Sequence, residues 1–346
     1  MKPLKSKQFL ATIALTSVLA FSCSNDDDDN NMDMGPTSST TIYASNNSDG
    51  NVTIYDVTDS ANITTKTLIT SSTAADGIYF DSNSDAVIQA SRSGLGLEGF
   101  TNISALLNNA TVNADLNGTN DMSSPRELAV NGNTYVVADN ADVDGDANTP
   151  DGKLFIYTRS GNSFTLRNTI TTDFKLWGIT FKDNDLYAVV DATNELAVYT
   201  DFASNTSDAT LSASKRIVIE GIVRTHGLTY DSASDVMVMT DIAAATNGQD
   251  DGAFHIIENF TSKFNSTANG ATLAASQQTR VSGAATLLGN PVDVAYDADT
   301  QTVFIAEAGN GGGRILAFNN IGSGGNITPA FNNSLASASS VFISKN

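Results

Sequence analysis

Trp177 to Thr200 reads WGITFKDNDLYAVVDATNELAVYT, three short strands separated by two turns. Gly178 to Phe181 alternates apolar and polar residues, and Lys182 to Asp185 make a turn. Leu186 to Val190 form a second strand ending at Asp191, Ala192 to Glu195 turn the chain again, and Leu196 to Tyr199 make a third strand. Short alternating strands split by Asn, Asp and Gly turns form an antiparallel meander. A meander that returns at a fixed period is one blade of a propeller.

The period is present on both sides of this stretch. Gly178 aligns with Gly77, Glu127, Gly227, Asp293 and Ser340, at intervals of about 50 residues with one longer step before Asp293. Second strands end at Ser45, Ala90, Asp139, Asp191, Asp241 and Glu307, and third strands carry Tyr55, Phe100, Tyr157, Tyr199, Ile257 and Phe318. Fourth strands are expected at Thr67 to Ile69, Phe164 to Ile170 and Arg216 to Ile219. The longer step falls in Asn259 to Asn290, which should hold a fourth strand near Gln278 to Val281 and a loop insertion. The repeat begins on a second strand, Thr41 to Ser45, and finishes on a first strand, Ser340 to Ser344, so the two ends must complete one blade. The expectation is an all-β, six-bladed β-propeller over residues 41–346, closed by pairing of its N- and C-terminal strands. Such closure removes an edge that would invite aggregation.

This strand order, with an Asp-x-x-x-Asp turn after the first strand and acidic or Asn/Gly-rich turns after the second, resembles six-bladed propellers of the NHL and gluconolactonase-like superfamily. The resemblance covers roughly Thr41 to Asn346 and concerns the fold, which does not fix function. It implies that first strands start and second strands end on one face, around the mouth of a central channel. One residue before the aligned positions stand Asp76, Arg126, Trp177, His226, Val292 and Ser339, and the second strands add Asp139, Asp191, Asp241 and Glu307. Carboxylates gathered around one axis repel unless a cation or basic group satisfies them, so Asp76, Trp177, His226, Asp139, Asp191, Asp241 and Glu307 form a candidate ligand or cation site. The competing reading has the acids bonded to backbone amides of adjacent turns. Gluconolactonase-like relatives hold a divalent metal at this mouth with a Glu, Asn and Asp set and hydrolyse lactones or esters. Here the acids fall at other strand positions and no Asn stands at the aligned places. His226 could serve as a base beside a metal-bound water, but no Ser/His/Asp spacing stands out.

A second site lies in Asn140 to Asp151, NADVDGDANTPD. Oxygen side chains at Asn140, Asp142 and Asp144, Gly145 for the sharp turn, then Asp146, Asn148 and a closing Asp151 follow the EF-loop alternation that aims oxygens at Ca²⁺. The loop also resembles calcium loops inserted in integrin-type propeller blades. The alternative is a solvated acidic loop. Residues 241–252 lack the alternation and read as a plain loop. Ser91 to Gly99, Asn140 to Gly152, Ile242 to Gly252 and Gly309 to Gly313 are expected as long loops on one face, which makes that face the expected binding surface.

The first forty residues give an address. Residues 1–22 carry Lys2, Lys5 and Lys7, an apolar stretch from Phe9 to Phe21 and small Ser22, the parts of a secretory signal that is too short for a permanent span. Leu19 to Cys23 resembles a bacterial lipobox, whose cysteine is diacylated after cleavage. Cys23 is the sole cysteine, so it has no disulfide partner. Ser24 to Asn31, SNDDDDNN, resembles the acidic signal that directs Bacteroidota-type lipoproteins to the outer leaflet, and residues 23–40 read as a lipidated acidic tether. With 18 Lys and Arg against 38 Asp and Glu, the net charge of -20 argues against nucleic acid or an anionic membrane surface as partner.

The preferred functional expectation is a non-enzymatic, surface-exposed outer-membrane lipoprotein that binds a protein or surface ligand. A metal-dependent lactonase or esterase at the mouth is the second reading. A glycan-capturing accessory of an uptake system, with Trp177 and Tyr43 as stacking platforms, is the third.

Overall fold

The computed structural model describes residues 39–346. The signal segment, Cys23 and the acidic run lie outside the described residues. Within them the chain is mostly β-strand, in a propeller-like arrangement of antiparallel meanders. No helix among the described residues is long and apolar enough to cross a membrane.

The stretch around Trp177 behaves as its pattern requires. Leu176–Lys182, Asp185–Val190 and Glu195–Tyr199 pair in order, and Lys215–Ile219 adds a fourth strand. Lys182 pairs with Asp185, leaving a two-residue hairpin turn in which Asp183 takes φ 54°, the sign that tight hairpin turns need. The second strand is apolar on both faces because both are covered. Leu186, Ala188 and Val190 pack with Val136, Ile156 and Ile170 of the preceding meander, while Tyr187 and Val189 pack with Met237, Met239 and Ile257 of the following one. Successive strand residues point to opposite faces, so one strand serves two cores.

The other meanders repeat this plan. Ala75–Asp81, Ala86–Ser91, Gly96–Thr101 and Leu116–Asn117 form one. Pro125–Asn131, Thr134–Asp139, Gly152–Ser160 and Ser163–Thr172 form the next, joined to the former through a parallel Ser163–Asn117 pair. Leu228–Asp231, Val236–Asp241, Ala253–Glu258 and Thr279–Ser282 make another, followed by Pro291–Asp297, Thr302–Glu307, Arg314–Phe318 and Phe331–Ser334. In the remaining sheet Ala338–Lys345 pairs antiparallel with Thr40–Asn46, from Thr40↔Lys345 to Asn46↔Ala338, and Val52–Asp56 and Thr64–Ile69 follow. The two termini of the fold therefore complete one sheet.

First strands are innermost and surround a void of about 260 Å³ touched by Ile78, Glu127, Ile179, Leu228, Asp293 and Val341. They approach closely. A Cβ on Gly77 would lie 2.3 Å from the Leu128 nitrogen, and one on Gly178 would lie 2.3 Å from the His226 carbonyl oxygen. Only glycine fits there without moving the neighbouring backbone.

Some expected details change. Gly96–Thr101 is a strand, so the turn within residues 91–99 is a four-residue hairpin and not a long loop. The insertion in residues 259–290 opens with the only α-helix among the described residues, Phe260–Ser266, which buries Phe260 and Phe264 one turn apart. The fourth strand there is Thr279–Ser282, and two fourth strands that the sequence did not reveal are Leu116–Asn117 and Phe331–Ser334.

Candidate functional site

At the end of the channel where first strands begin, side chains from four meanders and their connecting loops form a continuous polar row. Asp76, 4% exposed, accepts a hydrogen bond from Asn47 Nδ2 at 2.8 Å. Its other oxygen accepts from Arg126 Nη1 at 3.2 Å and lies 3.7 Å from Arg92 Nε. The Arg126 guanidinium sits 4.1 Å from the Trp177 ring centroid. The His226 ring stacks on Trp177 at 3.8 Å and 7°, so the indole has a cation on one face and an imidazole on the other. His226 Nε2 is 3.4 Å from Asp191 Oδ1, which accepts from Arg224 Nη2 at 2.8 Å. The second oxygen of Asp191 accepts from Asn140 Nδ2 at 2.8 Å.

Charge states follow from this row. Burial pushes the His226 pKa below its ordinary value, against the pull of Asp191, so the imidazole is neutral at pH 7. Burial works to raise Asp191, but the adjoining His226 ring and the hydrogen-bonded Arg224 guanidinium outweigh it and hold the carboxyl well below the usual range. Neither His226 nitrogen has a hydrogen-bond partner of good geometry, and Arg126 Nε and Asn47 Oδ1 are likewise buried without one.

The other candidate acids at the mouth are turned elsewhere. Asp139 accepts from the amides of Ser123, Ser124 and Ala141. Asp241 Oδ1 accepts from Val223, Arg224 and Ala243, leaving Oδ2 buried and 3.9 Å from Arg280. Glu307 accepts from Gly289, Asn290, Gly309 and Asn310, and burial pushes its pKa up against these four amides. These three acids tie the end of a second strand to the loop that precedes the first strand of the same meander. Asn and Asp side chains often serve turns in this way. Arg92 and Arg224 were not named from sequence, and Arg126, named at the aligned position, was left out of the candidate site. The signal was there: Arg126, Trp177 and His226 occupy one aligned position in successive meanders, and that is why they stack.

One layer below the mouth lie Glu127 and Asp293, both buried, whose carboxyls act on each other's charge. Ser340 Oγ and the Val341 amide donate to Asp293 Oδ2 at 2.7 and 2.8 Å. Burial, reinforced by the neighbouring Asp293, pushes Glu127 well above the ordinary range, and burial raises Asp293 to about 6.

In the acidic loop the six sequence candidates separate into two groups. Asp142, Asp144 and Asp151 place carboxylate oxygens within 4.8 Å of one another. Asn140 instead faces Asp191, and Asp146 accepts from Asn148 in a local turn. Lys175 lies 3.4 Å from Asp142 and balances part of the cluster. Ligands 2.3–2.6 Å from one Ca²⁺ lie at most about 5 Å apart, so three of the six oxygens fit a shared cation.

Tyr43, a stacking candidate, is 6% exposed and lies against Phe80 with centroids 4.4 Å apart. With both Trp177 faces covered as well, neither ring offers a platform to a sugar.

The sequence matches no protein-family model and no curated protein. Similarity appears among solved structures. A chain of a nidogen/laminin complex superposes with TM-score 0.58 at 11% identity, covering 88% of this chain and 98% of that one. A Bacteroides fragilis protein proposed to be a 6-phosphogluconolactonase gives 0.56 at 8% identity, with the same coverage of 88% and 98%. A Bacteroides caccae protein of unknown function gives 0.54 at 8%, again covering 88% and 98%. At such identities the likeness concerns the fold alone, and the fold it establishes is propeller-like.

Proposed function

We propose that the chain is a six-bladed propeller carried on the bacterial surface as an outer-membrane lipoprotein, anchored through Cys23, and that it binds a protein or ligand without catalysing a reaction. One observation carries the non-enzymatic reading. Asp139, Asp241 and Glu307, the acids that could have gathered a metal at the mouth, are held by backbone amides. The remaining two, Asp76 and Asp191, are paired with arginines. A catalytic metal needs several free oxygen or nitrogen ligands and an open position. Among the described residues no hydroxyl or thiol is hydrogen-bonded to His226.

The geometry of the fold suits a surface role. Asn46 pairs with Ala338 at the mouth end, and Thr40, where the first strand begins, pairs with Lys345 at the other end. The loops at residues 140–151 and 242–252 rim the mouth face and suit it to contact a partner. Protease shaving of intact cells tests the address: loss of the protein is expected, and its survival would contradict surface exposure. Affinity capture from solubilised outer membranes tests the binding role, with a stoichiometric partner as the expected result.

The hydrolase reading keeps one observation in its favour, the neutral His226 beside Asp191, a pairing that a general base uses.

A further inference from the structure

We propose that the central channel, entered from the end opposite the mouth, binds a primary ammonium on a short hydrocarbon chain, with Glu127 and Asp293 receiving the charged head. The site is separate from the mouth and from the binding role assigned to it. Both acids line the void of about 260 Å³, whereas Asp76, Arg126, Trp177 and His226 do not. Asp76, Arg126 and His226 are at most 9% exposed, so the buried row above closes that end. Toward the far ends of the first strands, Tyr79, Val130, Phe181, Tyr230 and Phe342 line the same void and are half-buried, so it opens to solvent there. From Glu127 to Val130 a strand advances about 10 Å, a depth that a six-carbon chain spans.

The closed end lacks a counter-charge. Glu127 is 9% exposed and Asp293 4%, and among the described residues no Lys or Arg nitrogen comes within 4 Å of either carboxyl, in contrast to Asp76 and Asp191. Glu127 Oε1 accepts from the Leu128 amide at 2.9 Å, but among the described residues no amide, hydroxyl or amine donates to Oε2. Buried charges are normally paired, so two uncompensated acids on one void point to a missing cation. Burial pushes both carboxyls up, and for Glu127 the charges of Asp293 and Asp76 add to it, as expected where nothing positive is near.

The donor set selects an organic ammonium over a metal ion. Ca²⁺ takes six to eight oxygens and structural Zn²⁺ four ligands, whereas this level holds two carboxyls and the Ser340 hydroxyl. The one group of three acids close enough to surround an ion, among the described residues, is in the acidic loop. An ammonium brings one charge and three donors, which two carboxyls can accept. No other charged residue lines the void. Below the acids its walls are the small Ala129, Thr180 and Thr229 and the rings of Tyr79 and Phe342, which meet edge to face with centroids 4.9 Å apart. Such walls suit a carbon chain and not a second charge.

Calorimetric titration of the full chain with n-hexylammonium, chelator present, tests this against hexan-1-ol, hexanoate and hexyltrimethylammonium. Saturable binding of n-hexylammonium is expected, with each of the other three at least about tenfold weaker. The alcohol lacks the charge, hexanoate reverses it, and the quaternary ion has no N–H to donate. Glu127→Gln should weaken n-hexylammonium by about tenfold or more. Thr229→Phe, which fills the open part of the channel without replacing either acid, should abolish binding, and this arm stands even where Glu127→Gln does not fold. Absent saturation, equal binding of hexan-1-ol, hexanoate or hexyltrimethylammonium, or undiminished binding in either folded variant overturns the assignment. Any of these results leaves the reading of the mouth untouched, because no residue of its polar row lines the void.

Discussion

Glu127 and Asp293 titrate against each other inside the channel, and this gives the ring a pH dependence that can be isolated. In the unfolded chain both carboxyls lose their protons near the ordinary value of about 4. In the fold Asp293 keeps its proton up to about 6, and Glu127 is likewise held well above its ordinary value. The folded state thus holds more protons above pH 4, and the pair's contribution to stability declines as pH rises through 4 to 6. Asp191, held low, and His226, also held low, act in the opposite sense, losing stability as pH falls. The informative quantity is a difference. Glu127→Gln keeps an acceptor for the Leu128 amide and gives Asp293 a permanent donor, so the variant should lack the decline between pH 4 and 6 that the parent shows. Urea unfolding across that range checks it, and parallel pH profiles would contradict it. Gly178→Ala, placed against the His226 carbonyl, should cost about 1–3 kcal/mol by overpacking, read from the urea midpoint. At this scale the sequence was legible in part. Trp177, His226 and Asp191 could be placed at one mouth by alignment, whereas the amide donors that occupy Asp139, Asp241 and Glu307 come from loops without a pattern.

Among the elements, the loop after Thr134–Asp139 carries the prediction about calcium. Asp142, Asp144 and Asp151 converge, so added Ca²⁺ should raise the melting temperature of the parent and chelator should reverse the rise. At a free concentration one hundred times Kd the gain is about 2.7 kcal/mol. Asp144→Asn should abolish the response, and a response that survives in Asp142→Ala and Asp144→Ala would remove the loop from consideration. Strands were readable because alternation and turn residues recur. The helix Phe260–Ser266 was not, since Thr, Ser and Asn are poor helix formers. It forms because Phe260 and Phe264 reach the core and Asp235 accepts from the Thr261 amide at 3.0 Å. Its counterparts are single turns at Ile103–Ala105, Phe202–Ser204 and Ile321–Ser323. Each begins with a left-handed Asn or Asp followed by a buried apolar residue. That short motif is visible in the sequence once the turns are known.

For the whole molecule, closure by Ala338–Lys345 against Thr40–Asn46 is the feature on which the ring depends. Removing residues 338–346 exposes the edge of Thr40–Asn46 and strips Ser340 and Val341 from Asp293. The truncated chain should melt roughly 10 °C lower or more, and with reduced cooperativity, because several kcal/mol of pairing and burial are lost at once. A melting curve equal to the parent's would contradict closure. The architecture was legible because a fold built by repetition writes its period into the chain, while the ligand is set by the places where units differ. The central claim is that the mouth binds and does not catalyse. Its most direct measurement is lactone hydrolysis by the purified full chain with Ca²⁺, Mn²⁺ or Zn²⁺ supplied. The account predicts no turnover above the uncatalysed rate with any of the three. Metal-dependent turnover that disappears in His226→Ala would contradict it.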